Sequence, residues 1–410
     1  MANSLNKITT KSILDATVAT ADIAADAITG AKIADDAINS EHYTNGSIDT
    51  AHIADDAVTT AHIASGSQLV TTSSTNTIAG LNAGAAVSGG SELTYYGHNA
   101  GNDNTSGDYN TGIGREALGK NTTASNNTGV GNYALGLNTT GAGNTAVGSY
   151  SLDANTTGDN NTAVGKEALG ANTTGGSNVG IGNSALAANT TGAFNTGIGL
   201  DALAANTTGG ENIAIGSYAG DANTTGDDNV AIGIYSFSSN TTGSNNTAVG
   251  RGALGNNSTA SDNTAVGKAA LETNTTGTQN VAIGSQASDA STTASYGTAV
   301  GFAALGALTT ANSNTALGYA ALAANTTGAE NTAVGSGALD VNTTGGYNVG
   351  IGINALGSNT TAAYNVAVGP YCLDANTTGT DNVAIGWSAL GANTTASNNT
   401  AIGAHCMQSN

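Results

Sequence analysis

Charge is what this chain has least of: Asp, Glu, Lys and Arg together make up 9% of 410 residues, where globular domains run near ~25%. Only eight residues are basic, they are scattered, and the formal net charge is −20. A nucleic-acid role would require clustered Lys and Arg to displace counterions from phosphates, so the composition speaks against it. Residues 1–66 and the remainder are both acidic, and neither is a basic tail. Two cysteines, Cys372 and Cys406, cannot build a disulfide framework or a cysteine-rich metal site. Proline occurs once and aromatics make up 4%. No apolar run reaches the length of a secretion signal or a membrane span, which points away from standard export and from membrane insertion.

What the chain does contain is repetition. The glycine closing each N-[T/V]-[A/G]-[V/I]-G segment recurs every 17 residues from Gly114 to Gly403. Gly97 extends the series, giving nineteen in-phase glycines without an insertion. A fixed period of this kind is the signature of a solenoid. Asn161 to Ser177 illustrate the unit N-[T/V]-[A/G]-[V/I]-G-x-x-A-L-x-x-N-T-T-G-x-x. Its β-branched run suits a short strand, and Gly165, Gly182 and Gly199 suit corners with positive φ or close backbone approach. Asn172-Thr173-Thr174-Gly175 reads as turn chemistry that tolerates left-handed conformations. The expected fold is therefore an all-β parallel β-solenoid of about nineteen coils over residues 93–410. At a spacing of ~4.8 Å per coil, the stack would be ~90 Å long.

Stacking in register places Asn161, Asn178 and Asn195 in one column and Asn155, Asn172 and Asn189 in another, where side-chain amides can hydrogen-bond as ladders. Val164, Leu169, Ile181 and Leu186 are the expected core. Because adjacent residues on a strand face opposite sides, the pairs Ala163-Val164 and Ala168-Leu169 make both faces apolar. One face fills the interior and the other leaves an exposed stripe, which predicts self-association. Cys372 and Cys406 occupy the position held by Ala168 and Ala185 and are read as small buried residues. They lie two coils apart, ~9.6 Å by coil spacing, too far for an intrachain disulfide.

Upstream, Ile13, Val18, Ile23, Ile28, Ile33, Ile38, Tyr43, Ile48, Ile53, Val58 and Ile63 recur every five residues. A period of five drifts around a helix and flips faces on a strand, so an intertwined oligomeric stalk is expected over 12–64. It would follow an N-terminal segment (1–11) and precede a transition segment (65–92). Within the stalk, His42, His52 and His62 share one face and are weak candidates for a metal or anion site. Asp22 and Lys32 occupy the same position in earlier repeats, which favours a plain polar site.

The stretches I-A-D-D-A-I and S-I-D-T-A-H-I-A-D-D-A-V, together with N-T-A-V-G-x-x-A-L-x-x-N-T-T-G, resemble the stalk and shaft repeats of tail-fibre and appendage proteins of tailed bacteriophages. The shaft is also similar to the head repeat of trimeric autotransporter adhesins. That resemblance implies a left-handed β-roll, a homotrimer, and a virion appendage contacting host surface glycan or protein, with other virion or fibre proteins at its ends. From the residues, no enzymatic activity and no cofactor are expected. A self-assembling extracellular filament or surface adhesin is the second reading, and an ice-binding solenoid, suggested by the threonine columns, is the third. Acids such as Asp159, Glu211 and Asp227 fall on corners and read as solvated surface, and no catalytic constellation is evident.

Overall fold

Each repeat has only three residues that favour extended backbone, and one strand of three residues is what each coil forms. A computed structural model describes residues 71–72 and 75–408. The stalk expected over 12–64, with His42, His52 and His62, lies outside the described residues. A two-residue strand, β1 (Thr71–Thr72), pairs antiparallel with β2 (Thr77–Ala79). Every following pairing is parallel and offset by one repeat, from β3 (Thr94–Tyr96) to β21 (Thr400–Ile402). In the middle of the stack, Thr162, Ala163 and Val164 of β7 pair with Val179, Gly180 and Ile181 of β8. The described residues are thus an all-β parallel solenoid of about nineteen coils. In-register pairing already begins at Thr77, so the coil geometry reaches into the segment read as transition.

Hydrogen bonding between coils continues beyond the strands. Thr162 N–H donates to Asn178 O (2.8 Å), Leu169 N–H to Ala185 O (2.9 Å) and Thr173 N–H to Thr190 O (2.9 Å), while Gly165 N–H donates backwards to Val147 O (2.8 Å). Between Gly165 and Asn172 the chain reverses through overlapping turns, with Ala168 N–H bonded to Gly165 O, Gly170 N–H to Glu167 O and Asn172 N–H to Leu169 O.

Corner glycines sit where expected, and twenty of them, from Gly80 to Gly403, have φ between 127° and 141°. This region is open essentially to glycine alone. Space closes the position as well, since a Cβ on Gly199 would lie 2.6 Å from Gly216 O in the next coil.

Two expectations need correction. The left-handed residues of the repeat are Glu167 (φ 60°), Leu169 (φ 53°) and Ser177 (φ 58°), and neither Asn172 nor Gly175 is among them. Gly175 is small for a steric reason: a Cβ there would lie 2.6 Å from Asn172 Oδ1 and 3.1 Å from Asn178 Nδ2. Val164 and Ile181 are not core either. Both are 37% exposed, whereas Ala163, Leu169 and Leu186 are fully buried. The interior opposite the leucine column has room for no more than a methyl group: at Gly180, a Cβ would lie 3.2 Å from both Ala185 O and Leu169 Cγ. The strand therefore turns its Ala or Gly inward and its larger Val or Ile outward.

Leucine in a left-handed conformation costs about 1–2 kcal/mol. Burying its side chain returns ~1.5–3 kcal/mol, which is enough to hold it there coil after coil. The coils nearest the N-terminal hairpin differ, with Leu93 and Tyr95 filling the interior where Asn and Ala otherwise stand, and the leucine position is taken by Gly220, Phe237 and Ser288 in three later coils. Replacing Leu169 with Asp is expected to lower stability by ~3–5 kcal/mol, through a lost core side chain and an unpaired buried charge. Thr174→Asp, on the exposed turn, should stay within ~0.5 kcal/mol. Thermal melting of the two variants tests this, and equal effects would contradict the packing.

Candidate functional site

Stacking in register turns each position of the repeat into a column, so the chemistry of this protein is arranged in lines along the coils. Two of these lines are buried asparagines. Asn172 donates from Nδ2 to Asn155 Oδ1 (2.9 Å) and to Gly175 O (2.9 Å), and Asn189 repeats the pattern on Asn172 Oδ1 (2.8 Å) and Gly192 O (2.9 Å). This column is the amide ladder the spacing implied. The other column is bonded differently. Asn178 and Asn195 donate their backbone N–H to Asn161 Oδ1 and Asn178 Oδ1, both at 2.9 Å. The Nδ2 groups of Asn178 and Asn195 reach to the glycine carbonyls Gly192 O and Gly209 O at 2.8 Å, whereas Asn161 Nδ2 also makes the expected amide bond, to Asn144 Oδ1 at 3.1 Å. Gly175 O accepts from both Asn161 and Asn172, which ties the two columns together.

The ladder has one flaw. Ser291 and Leu308 replace two successive asparagines between Asn274 and Asn325, and Gly297 replaces one in the second column. Asn274 Oδ1 and Ser291 Oγ are buried without a hydrogen-bond partner. No sequence signal beyond the broken motif announces this, but the 17-residue phase locates it.

Outward lines run beside the buried ones. The first strand residue is Thr, Val or Ile in every coil, and from Ile113 to Ile402 the third is Val, Ile or Leu. Both point away from the core, forming an exposed β-branched ribbon. Aromatic side chains occupy the corners and stack on their own copies: Tyr133 on Tyr150 (5.4 Å), Tyr218 on Tyr235 (5.2 Å), Phe302 on Tyr319 (5.7 Å) and Tyr347 on Tyr364 (5.0 Å).

Acidic groups mostly hold corners. Asp159 Oδ1 accepts Ala142 N–H and Asp227 Oδ1 accepts Gly210 N–H, each at 2.7 Å. A second acidic line, Asp153, Asp221, Asp289, Asp340 and Asp374, is half-buried, and the burial raises each carboxyl above its ordinary range. Among the described residues no group of three or more His, Cys, Asp or Glu could hold a metal ion. Cys372 is a fully buried free thiol whose Sγ lies 3.1 Å from Ala384 O, and burial pushes it up to about 11. Cys406 is free and partly exposed. Among the described residues no helix is long and apolar enough to cross a membrane. The fold and its lines of side chains define a repetitive β-solenoid protein. No family model and no curated protein matches the chain.

Ser291→Asn should supply a donor to Asn274 Oδ1 and raise stability by ~1 kcal/mol, the usual net value of one intramolecular hydrogen bond. An unchanged or lower melting temperature would show that the gap is better packed as it stands. The raised carboxyls make a second expectation. A carboxyl that holds its proton more tightly in the fold than in the unfolded chain favours the fold when protonated. Stability is therefore lost as pH rises from the ordinary carboxylate range through the raised one. Melting should accordingly occur at a higher temperature at about pH 4.5 than at about pH 7, reinforced by relief of repulsion in so acidic a chain. A lower melting temperature in acid would overturn this.

Proposed function

We propose that this chain is a structural fibre protein, the shaft of a host-contacting appendage of a tailed bacteriophage, assembled from several copies, with three as the expected number. The observation that carries this reading is the ribbon of Thr, Val and Ile facing outward on strand after strand. Two columns ~7 Å apart along ~80 Å of stack amount to a strip on the order of 600 Å², one column Val, Ile and Leu and the other Thr in most coils with Val or Ile in the rest. That approaches the ~800 Å² per partner of a standard stable interface and lies at the upper end of the ~300–600 Å² that soluble monomers leave bare. A second copy of the same repetitive chain offers a partner surface with the same period. In such an assembly the role is mechanical, since stacked hydrogen bonds and shared apolar faces give length, stiffness and resistance to proteolysis. Other virion proteins would hold its ends, and the host surface would supply glycan or protein contacts.

An ice-binding surface would need an unbroken array of free hydroxyls. Here the strand threonines give way to Val349, Val366 and Val383 in successive coils, and the Thr173 hydroxyl donates to Thr190 O (3.0 Å). These features favour the fibre.

Light scattering of the intact protein, followed by electron microscopy of the same sample, tests the assembly. A discrete mass near three chains with rods ~90 Å long in the solenoid part is expected. Val164→Asp together with Ile181→Asp should lower that mass or loosen the assembly while leaving each chain folded. A monomer with the native sequence would overturn the interface, and open-ended polymers would favour a filament.

A further inference from the structure

Five basic residues lie among the described ones, and three of them have partners. Lys120 Nζ is 3.0 Å from Asp103 Oδ2, Lys166 Nζ is 3.0 Å from Glu167 Oε1, and Arg115 lies over the Tyr133 ring at 5.4 Å. The other two are Arg251 and Lys268. They are one repeat apart, so the register that builds the stack sets two exposed cations side by side on adjacent coils, with no acid among the described residues within salt-bridge distance of either. In a chain of net charge −20 this is a local reversal of sign.

Both cations line a cavity of about 310 Å³ together with Tyr235, Gly252, Ala269 and Glu272. Its shape follows from the repeat. Tyr235, Gly252 and Ala269 occupy one corner column, and at Gly252 (φ 68°), as at Gly337, the side chain that fills this corner in most other coils is missing. Tyr235 is braced on one side by Tyr218, stacked at 5.2 Å, while its next neighbour in the column is Gly252. One face of the ring is thus supported and the other looks onto the hollow. Glu272 closes the far wall, its Oε1 3.4 Å from where a Cβ on Gly252 would be. The equivalent hollow beside Tyr150 is lined by Asp153 and Glu167 and has no cation in its wall.

We propose that this hollow binds an acidic monosaccharide unit. The sugar ring stacks on the open face of Tyr235, its carboxylate or phosphate lies between Arg251 and Lys268, and a ring hydroxyl donates to Glu272. An aromatic platform beside paired cations suits a ligand with an apolar ring face and one anionic substituent. The cavity is at the small end of ligand pockets and fits one sugar unit. A long polyanion such as nucleic acid would meet the acidic surface on either side. This deepens the reading of the shaft as host-contacting and rests on it for its biological setting, but its test is independent of assembly.

The test is titration calorimetry of the full chain with glucuronic acid and with glucose 6-phosphate, using glucose and inorganic phosphate as controls. Binding of at least one acidic sugar, weakened by salt and about tenfold or more tighter than both controls, is expected. Arg251→Ser with Lys268→Ser, which repeats the residue type that Ser217 and Ser285 place in the same column, should reduce that affinity about tenfold or more with melting unchanged. Tyr235→Ala should remove the preference for sugar phosphate over phosphate. No binding to the native chain, affinity unchanged in the double variant, or phosphate binding as tightly as the sugar phosphate would each overturn the site. A trimeric rod that fails this test would leave the fibre reading standing, and a monomer that passes it would leave the site standing.

Discussion

The rest of the structure depends on the satisfaction of buried amides. Two of the buried side chains of most coils are asparagines, and an unpaired amide there would cost about 1–3 kcal/mol. Asparagine is the side chain that fits this position. It carries two donors and an acceptor on a short stem, so one N–H can reach the preceding coil while the other binds a carbonyl of its own turn. Aspartate would lack the donors, and glutamine would need room that the glycine beside the ladder, close to Asn172 Oδ1, does not leave. Each amide is complete only when the adjoining coils are in register. The ladders therefore set the phase of the stack, and the leucine and alanine columns then fill the rest of the interior.

Much of this was legible in the sequence because register turns period into position. The unbroken 17-residue spacing gives the coil, the corner glycines and both asparagine columns, and Leu169 and Leu186 are buried as their place in the repeat implied. Which of two adjacent apolar residues faces inward was not legible. Ala163 and Val164 are both compatible with a strand, and only the position of the leucine column, within reach of the inward Cβ, leaves the smaller one inside. The left-handed conformations of Glu167 and Leu169 were hidden for a related reason. Local preference argues against them, and packing overrides it by an amount that no single residue reveals.

The basic pair shows the opposite case, in which the signal was present in plain numbers. Arg251 and Lys268 look scattered along a line of text, but they are one repeat apart and therefore neighbours in space. The same arithmetic finds Tyr218 beside Tyr235 and exposes the gap at Gly252. In a solenoid, residues are best compared by phase within the repeat, because proximity along the chain says little about proximity across coils.

Twenty corner glycines without one insertion between them also bear on how such a chain can change over generations. Gaining or losing one whole repeat would leave every surviving column aligned and alter the length of the stack by ~4.8 Å. Gaining or losing any other number of residues would shift amides against leucines and interrupt both parts of the interior at once. Length is thus a quantised heritable trait, adjustable by recombination between neighbouring repeats in equal steps.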